Sequence, residues 1–221
     1  MLLEIRELLN AQEVQILSEI GARAKFVDGR LTNMGFSQKD NLQIDHNAGD
    51  FATSSKIVLE ALQRSYEFRE YSFPRRIAPP LLAKYEPGMK YGAHADAAFL
   101  PMPGGPIRSD ISCTVFIADP GSYDGGELII HFGDRAIPIK GSMGSAIVYP
   151  STTLHEVAPV RRGERLVAIT FIESYVANEQ DRWMLFELGD ISSLEGEHMS
   201  PPNRMRLEVV RHNLTRRWSS F

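Results

Sequence analysis

Two histidines and one aspartate have the residue types and the spacing of a metal site. His94 and Asp96 are two positions apart in His94-Ala95-Asp96, and His155 begins a predicted strand shortly after Pro150. Side chains at positions i and i+2 of a strand point to the same side, so His94 and Asp96 can present a nitrogen and an oxygen to one ion. Two histidines and one carboxylate on one face of an ion form the facial triad typical of non-haem Fe(II) oxygenases. We therefore predict that His94, Asp96 and His155 are catalytic metal ligands.

An arginine stands in an apolar strand ten residues after His155. Arg165 opens the predicted strand Arg165-Leu166-Val167-Ala168-Ile169-Thr170-Phe171, which should be largely buried. A lone guanidinium in a protein interior is costly, because its charge loses the solvation that water provides. An arginine directed at a pocket can instead hold a carboxylate through two parallel hydrogen bonds. Arg165 is thus predicted to bind an acidic ligand.

Two other uses of the same ligands stay open at this stage. The triad would also serve a non-catalytic jelly-roll module that binds metal or senses iron, and it would serve a zinc hydrolase. Arg165 speaks against both classes, because neither needs a buried group that clamps a carboxylate. The absence of an evident general base beside the triad further weakens the case for a hydrolase.

Short runs rich in β-branched and aromatic residues, punctuated by glycine and proline, fill residues 72–174. This texture is typical of strands joined by tight turns, and such turns are predicted at Ser122–Gly126 and Phe132–Asp134. About eight short antiparallel strands in about a hundred residues favour a sandwich or a barrel, with the jelly roll a leading option. The predicted strands are Leu81–Tyr85, Ile111–Ala118, Glu127–His131, Arg135–Ile139, Ser145–Tyr149, His155–Val157 and Arg165–Glu173.

Helical periodicity is confined to the two ends of the chain. Asn10 with Glu13 three residues later has the pattern of a capping box, which predicts a helix start. A second helix fits residues 51–66, and two more follow Asn178. The predicted fold class is mainly β with flanking helices, in one domain over 1–221. Its parts are an N-terminal helical support over 1–71, a β core over 72–175 and C-terminal helices over 176–221.

Several residues outside the triad have a structural and a functional interpretation. Asn41 and Gln43 lie in a polar, irregular segment, and a solvent-exposed loop is favoured over the lining of a substrate cleft. Cys113 is expected in the core. Trp183 and Trp218 of the C-terminal helices are candidates for the face of a homodimer.

The composition excludes several kinds of partner. The 221 residues include 24 basic and 28 acidic ones, for a net charge of −4, so neither nucleic acid nor an anionic membrane is expected to bind. The single cysteine excludes an intrachain disulfide and a multi-cysteine metal site. The sequence begins without the pattern of a secretory signal, and no apolar stretch is long enough to span a membrane. We therefore expect a cytoplasmic protein.

The residues named above belong to a pattern that extends over essentially the whole chain. Its motifs are Tyr85-x-x-Gly88-x-x-Tyr91-x-x-His94-x-Asp96, Asp124-Gly125-Gly126-Glu127-Leu128, then His155 and Arg165, and finally Arg211-His212-Asn213-Leu214-x-x-x-Trp218. The pattern resembles the Fe(II)/2-oxoglutarate dioxygenases of the prolyl 4-hydroxylase type. Its ending and its near full-length fit resemble the bacterial PKHD-type hydroxylases.

The resemblance implies a double-stranded β-helix (jelly roll) core with iron at one mouth. It implies Fe(II) on the triad and 2-oxoglutarate as a co-substrate that chelates the iron, with its far carboxylate on Arg165. The implied reaction hydroxylates an unactivated C–H bond and releases succinate and CO2, with L-ascorbate as an optional further ligand. The family's association with bacterial iron uptake supplies a context but no substrate. Prolyl peptides, free amino acids, siderophores and other small molecules all stay open as substrates.

One departure from the family pattern concerns the co-substrate pocket. Many relatives of the prolyl hydroxylase type carry a tyrosine on the strand after the His-x-Asp pair, where it reaches 2-oxoglutarate, and Phe116 takes that place here. Ser112 and Thr114 share the face of Phe116 and can supply a hydroxyl instead. Tyr85 is a second candidate donor. We therefore predict that Tyr85 and Thr114 bind the co-substrate together with Arg165.

Overall fold

The computed structural model describes residues 2–32 and 38–220. The helices are α1 (Ala11–Arg23), α2 (Gly49–Arg64), α3 (Tyr66–Ser72), α4 (Glu179–Glu195) and α5 (Pro201–Trp218), and a short 3-10 helix covers Gly29–Thr32. The strands are β1 (Leu3–Ile5), β2 (Phe26–Asp28), β3 (Lys39–Asp40), β4 (Leu42–Ile44), β5 (Pro74–Ile77), β6 (Leu81–Tyr85), β7 (Lys90–His94), β8 (Phe99–Leu100), β9 (Ile107–Arg108), β10 (Ile111–Phe116), β11 (Asp124–Gly125), β12 (Leu128–Phe132), β13 (Arg135–Ile139), β14 (Ala146–Pro150), β15 (His155–Val157), β16 (Val160–Arg162) and β17 (Arg165–Ser174).

Two antiparallel sheets enclose the interior of the protein. The larger sheet has the order β1-β14-β10-β17-β6-β4-β2, with β5 paired to β17, and the smaller has the order β13-β12-β15-β7-β3. Side chains of both sheets meet in an inner core, with Phe116 and Val167 from the larger sheet and Ile130 and Val157 from the smaller. The prediction of mainly β structure flanked by helices is confirmed.

Helices α1, α2 and α3 cover the outer face of the larger sheet. Leu17, Leu62 and Phe68 from these helices pack against Cys113 and Leu166 in an outer core. Cys113 is fully buried as predicted, and burial raises the pKa of its thiol to about 12. The thiol is therefore protonated and serves as an apolar packing group.

Strand β10 lies between the two cores, because its side chains point alternately to the outer and to the inner core. Ile111, Cys113 and Val115 face the helices, and Phe116 packs between the sheets. Because successive side chains of a strand point to opposite faces, Ser112 and Thr114 share the inner face with Phe116. This strand thereby brings hydroxyl groups into an otherwise apolar interior.

The predicted start of α1 is confirmed in atomic detail. The Glu13 amide donates to Asn10 Oδ1 at 2.9 Å, and the Asn10 amide donates to Glu13 Oε2 at 2.9 Å. These bonds satisfy two amides that a helix start leaves without a partner. The second predicted helix, over 51–66, corresponds to α2, and Ser65 ends it and caps the further helix α3, which was not predicted. No helix among the described residues combines the length and apolarity needed to cross a membrane.

The prediction of a solvent-exposed loop for Asn41 and Gln43 is wrong. Both side chains are buried, at 2% and 3% exposure, and the segment around them forms β2, β3 and β4. Strands β3 and β4 have only two and three residues, too few for alternation to be visible in the sequence. Asn41 lies between them, where the chain passes from the smaller sheet to the larger one.

Candidate active site

The three predicted metal ligands converge at one place in the smaller sheet. His94 ends β7 and His155 begins the neighbouring strand β15, where the two residues are direct cross-strand partners. Asp96 follows β7 by two residues, and one ligand atom from each side chain lies within 4.8 Å of the others. Asp96 Oδ1 is 3.7 Å from His94 Nε2, and Asp96 Oδ2 is 3.7 Å from His155 Nε2. Two nitrogens and a carboxylate thus surround one point, a donor set that suits Fe(II).

Backbone carbonyls hold both imidazoles in the orientation that ligation requires. His94 Nδ1 lies 2.7 Å from the Gly92 carbonyl oxygen, and His155 Nδ1 lies 2.9 Å from that of Thr153. Because a carbonyl only accepts, each Nδ1 is the protonated nitrogen and each Nε2 keeps its lone pair. Burial, together with the nearby His155, lowers the pKa of His94, which favours the neutral form that binds metal.

Aromatic rings fix the two histidines from either side. The Tyr91 ring stacks on His94 with centroids 3.7 Å apart, and the Tyr149 ring meets His155 edge-on at 5.1 Å.

Lys39 pairs with Tyr91 across β3 and β7, and its Nζ is 5.4 Å from the Tyr91 ring centroid. Burial lowers the pKa of Lys39 to about 8, with the nearby Asp96 acting in the opposite direction. The sequence analysis did not single out Lys39, because nothing in its neighbourhood distinguishes it from a surface lysine.

Arg165 lies in the interior, as the apolar strand around it predicts. Its exposure is 1%, and its Nε has no hydrogen-bond partner among the described residues. Its guanidinium lies 5.0 Å from the centroid of the Tyr85 ring, and Tyr123 is its hydrogen-bond partner. None of the ion pairs within residues 2–32 and 38–220 includes Arg165. A buried cation without a protein carboxylate fits an acidic ligand such as 2-oxoglutarate.

Gly126 makes room for the arginine. A Cβ atom at this position would come within 3.0 Å of Arg165 Cδ and of Val160 Cγ2, and the backbone has a φ of +68°. A residue with a side chain would therefore be strained and would displace Arg165. Gly126, which sequence analysis assigned to a turn, thus also packs against Arg165.

Two buried tyrosines connect the arginine with the metal ligands. Tyr85 and Tyr149 each lie within electrostatic range of both Asp96 and Arg165. Burial raises the pKa of both phenols, so both carry a proton that they can donate. The Asn41 amide donates to the Tyr85 hydroxyl at 3.1 Å, and Thr114 is hydrogen-bonded to Tyr149.

Tyr149 is the residue of this group that sequence analysis missed. It lies in β14 directly opposite Ser112 of β10, and its exposure is 3%. The signal that could have found it is alternation, because Ile147 and Tyr149 share the inner face of their strand. Phe116 is buried in the same inner core, where Tyr149 of the neighbouring strand β14 carries a phenol.

Comparisons with known proteins identify the family to which this site belongs. A sequence model of the 2OG-Fe(II) oxygenase superfamily matches residues 80–173. A PKHD-type hydroxylase from Sphingopyxis alaskensis is 50% identical over 212 residues, which cover 96% of this chain and 97% of the relative. The chain belongs to the PKHD-type hydroxylases. A PKHD-type hydroxylase from Xanthomonas campestris is 38% identical over 99% of both chains.

The fold of this PKHD-type hydroxylase has solved counterparts. A prolyl-4-hydroxylase from Pseudomonas putida, at 20% identity, aligns with a TM-score of 0.52 over 78% of this chain and 92% of the other. This likeness confirms the predicted jelly-roll core. Membership of the family makes the chain an Fe(II)- and 2-oxoglutarate-dependent hydroxylase, and the predicted enzyme class and cofactors are thereby confirmed.

Proposed function

We propose that His94, Asp96 and His155 hold the catalytic Fe(II) and that Arg165 binds the distal carboxylate of 2-oxoglutarate. The observation that carries the proposal is the buried guanidinium of Arg165, which lies 5.0 Å from the Tyr85 ring in the same inner core as Tyr149, whose own ring meets His155 of the triad edge-on at 5.1 Å. A dicarboxylate with one end at the triad and the other at Arg165 would lie along these phenols. Such a molecule would also satisfy the buried guanidinium.

Each residue of this pocket has a distinct role in the proposal. Bound Fe(II) would supply the oxidation chemistry with dioxygen as the oxidant, so that one oxygen atom enters succinate as 2-oxoglutarate loses CO2 and the other becomes the hydroxyl on an unactivated carbon of the substrate. Arg165 orients the co-substrate with its planar fork, and the two phenols and the Thr114 hydroxyl provide further hydrogen bonds. The apolar side chains of the inner core exclude water from this part of the site.

The substrate of this reaction is a small molecule or a peptide. Prolyl peptides, free amino acids and siderophores are the candidates to compare, since the solved neighbour from Pseudomonas putida is a prolyl-4-hydroxylase. A role in bacterial iron uptake, L-ascorbate as a further ligand, a cytoplasmic location, and the absence of nucleic acid and membrane partners stay predictions from sequence.

Succinate release tests the proposed reaction. Purified protein is incubated with 2-oxoglutarate, Fe(II) and a panel of the candidate substrates, in air and under nitrogen, and succinate is quantified. We expect succinate only when Fe(II) and air are both present, with the largest yield from the true substrate class. A non-catalytic iron sensor would bind Fe(II) without forming succinate, and a zinc hydrolase would act on its substrate under nitrogen.

The C-terminal helices support the proposal of a homodimer, and residues other than Trp183 carry it. Trp183 packs against the outer core and the Phe186 ring. Helix α5 instead has no buried residue, and Met205, Val209 and Val210 are 68%, 52% and 50% exposed. Helix α4 carries five acidic residues and one arginine, whereas α5 carries five arginines and one glutamate. The exposed apolar residues and opposite charges suit a two-fold interface in which α4 of one copy meets α5 of the other.

The homodimer predicts that a charge on this face produces monomers. We expect the parent protein to have twice the mass of one chain in size-exclusion chromatography with light scattering, and Val209→Glu to have the mass of a single chain. Met143→Glu is the matched control, because Met143 is 51% exposed but lies in a turn of the β core. A parent protein that is already monomeric would contradict the proposal.

A further inference from the structure

Three buried serines form a hydrogen-bonded chain that ends on Asp96. Ser109 Oγ lies 2.8 Å from Ser151 Oγ, Ser151 Oγ lies 2.7 Å from Ser112 Oγ, and Ser112 Oγ lies 2.5 Å from Asp96 Oδ2. Their exposures are 7% for Ser109, 1% for Ser151 and 3% for Ser112. Ser109 lies just before β10 and Ser112 near its start, whereas Ser151 follows β14, so the pairing of these two strands brings the serines together.

The direction of each hydrogen bond follows from the number of protons available. A carboxylate only accepts, so Ser112 gives its single hydroxyl proton to Asp96. Ser151 must then donate to Ser112, which leaves Ser109 as the donor to Ser151. All three hydroxyl dipoles therefore point toward the carboxylate, and successive bonds of such a chain strengthen one another.

The serine chain donates a hydrogen bond to only one of the two carboxylate oxygens of Asp96. Oδ2 accepts the short bond from Ser112, and Oδ1 lies 3.7 Å from His94 Nε2. The Asp96 amide also donates to the Ser151 carbonyl oxygen at 3.1 Å, so the side chain of Asp96 is attached to β10 and its backbone to the residue that follows the paired strand β14. The carboxylate is thereby held in one rotamer.

We propose that this serine chain is a positioning device that makes Asp96 bind iron through Oδ1 alone. The inference rests on the proposed role of Asp96 as a metal ligand. A carboxylate that bound through both oxygens would take a second coordination position, and the triad must leave positions open for co-substrate and dioxygen. Because Oδ2 accepts the hydrogen bond from Ser112, Oδ2 does not bind the iron, and the second coordination position stays open. Ser112, considered from sequence as a donor to 2-oxoglutarate, instead uses its proton on Asp96.

Co(II) binding to the metal-free protein tests the proposal without any need for turnover. Co(II) affinity is measured by isothermal titration calorimetry, and the visible absorption spectrum of the Co(II) protein reports coordination number, with and without 2-oxoglutarate. We expect Ser112→Ala to weaken Co(II) binding by about 10- to 100-fold, the typical cost of losing a partner of a ligand. We also expect its spectrum to differ from that of the parent protein.

Three further variants separate positioning from general packing. Ser112→Thr keeps a hydroxyl and should restore the parent spectrum, and Ser151→Ala, which removes the donor to Ser112, should show a weaker form of the same change. Ser145→Ala is the matched control, because Ser145 is fully buried but donates to the Ser142 carbonyl oxygen instead. Ser112→Ala with the parent's affinity and spectrum would overturn the positioning role alone. A parent protein that binds no Co(II) would overturn the metal site itself.

Discussion

Replacing Asp96 with alanine should abolish succinate formation and leave a folded protein. The carboxylate is the only acidic member of the triad, so its removal leaves two neutral imidazoles that hold a divalent ion weakly. We expect a larger loss of activity than the roughly 10- to 100-fold that follows removal of a ligand's hydrogen-bonding partner. His94→Ala should have an effect of the same size. The rate of succinate release with saturating Fe(II) and 2-oxoglutarate is the measurement.

Metal-free stability distinguishes ligation from a structural role. The metal-free alanine variants should melt within about 4 °C of the metal-free parent, a shift that corresponds to roughly 1 kcal/mol in a chain of this size. His131→Ala is the matched control, since His131 belongs to the same sheet but lies outside the triad, with its Nε2 3.3 Å from Glu156, and it should retain activity. A large drop in melting temperature for Asp96→Ala would instead indicate that the triad serves mainly to hold the fold together.

The second large effect is expected at Arg165. Arg165→Ala should raise the apparent KM for 2-oxoglutarate by about 10- to 100-fold, because hydrogen bonds to charged groups contribute roughly 1.5–3 kcal/mol. The affinity for Fe(II) should change far less, since the guanidinium is not a metal ligand. Arg165→Lys keeps the charge but loses the planar fork and should be impaired to an intermediate degree. Initial rates at varied 2-oxoglutarate, with Fe(II) held constant, provide these constants.

An exposed arginine close in sequence serves as the control. Arg162 lies at the end of β16, and its side chain is exposed, so Arg162→Ala should leave the KM for 2-oxoglutarate unchanged. The cost of burying Arg165 without a carboxylate partner also predicts that Arg165→Ala is at least as stable as the parent in the absence of 2-oxoglutarate. An unchanged KM for 2-oxoglutarate in Arg165→Ala would contradict the proposal that Arg165 binds the distal carboxylate of 2-oxoglutarate.

The residues that dominate the chemistry were predictable because each is unusual in its local sequence. An arginine is conspicuous in an apolar strand, and a histidine two residues from an aspartate is informative once both lie on a strand. The meeting of His155 with His94 depends on β15 pairing with β7. No local rule predicts that pairing; His155 was chosen as the third ligand because it begins a strand after Pro150, and the family resemblance supported that choice.

The supporting residues were harder to predict, because their roles depend on long-range contacts. Asn41 reaches Tyr85 across 44 positions of sequence, and Ser112 meets Ser151 across 39. A buried serine or asparagine resembles a surface one until its partners are known, since both residue types are usually exposed. The strands β3 and β4 were missed for a related reason, because they are defined by their pairing with β7 and β6 rather than by length.

The N-terminal strands determine whether the β core could exist as a separate fragment without self-association. Strand β1 borders β14, β4 borders β6, and β3 borders β7, so residues before 72 supply a flanking strand at three places in the two sheets. A fragment limited to residues 72–175 would expose the backbone hydrogen-bonding groups of those three strands. Exposed strand edges pair with the exposed edges of other molecules, so such a fragment would aggregate. The N-terminal segment thus protects the core from aggregation, in addition to supplying Asn41 to the active site.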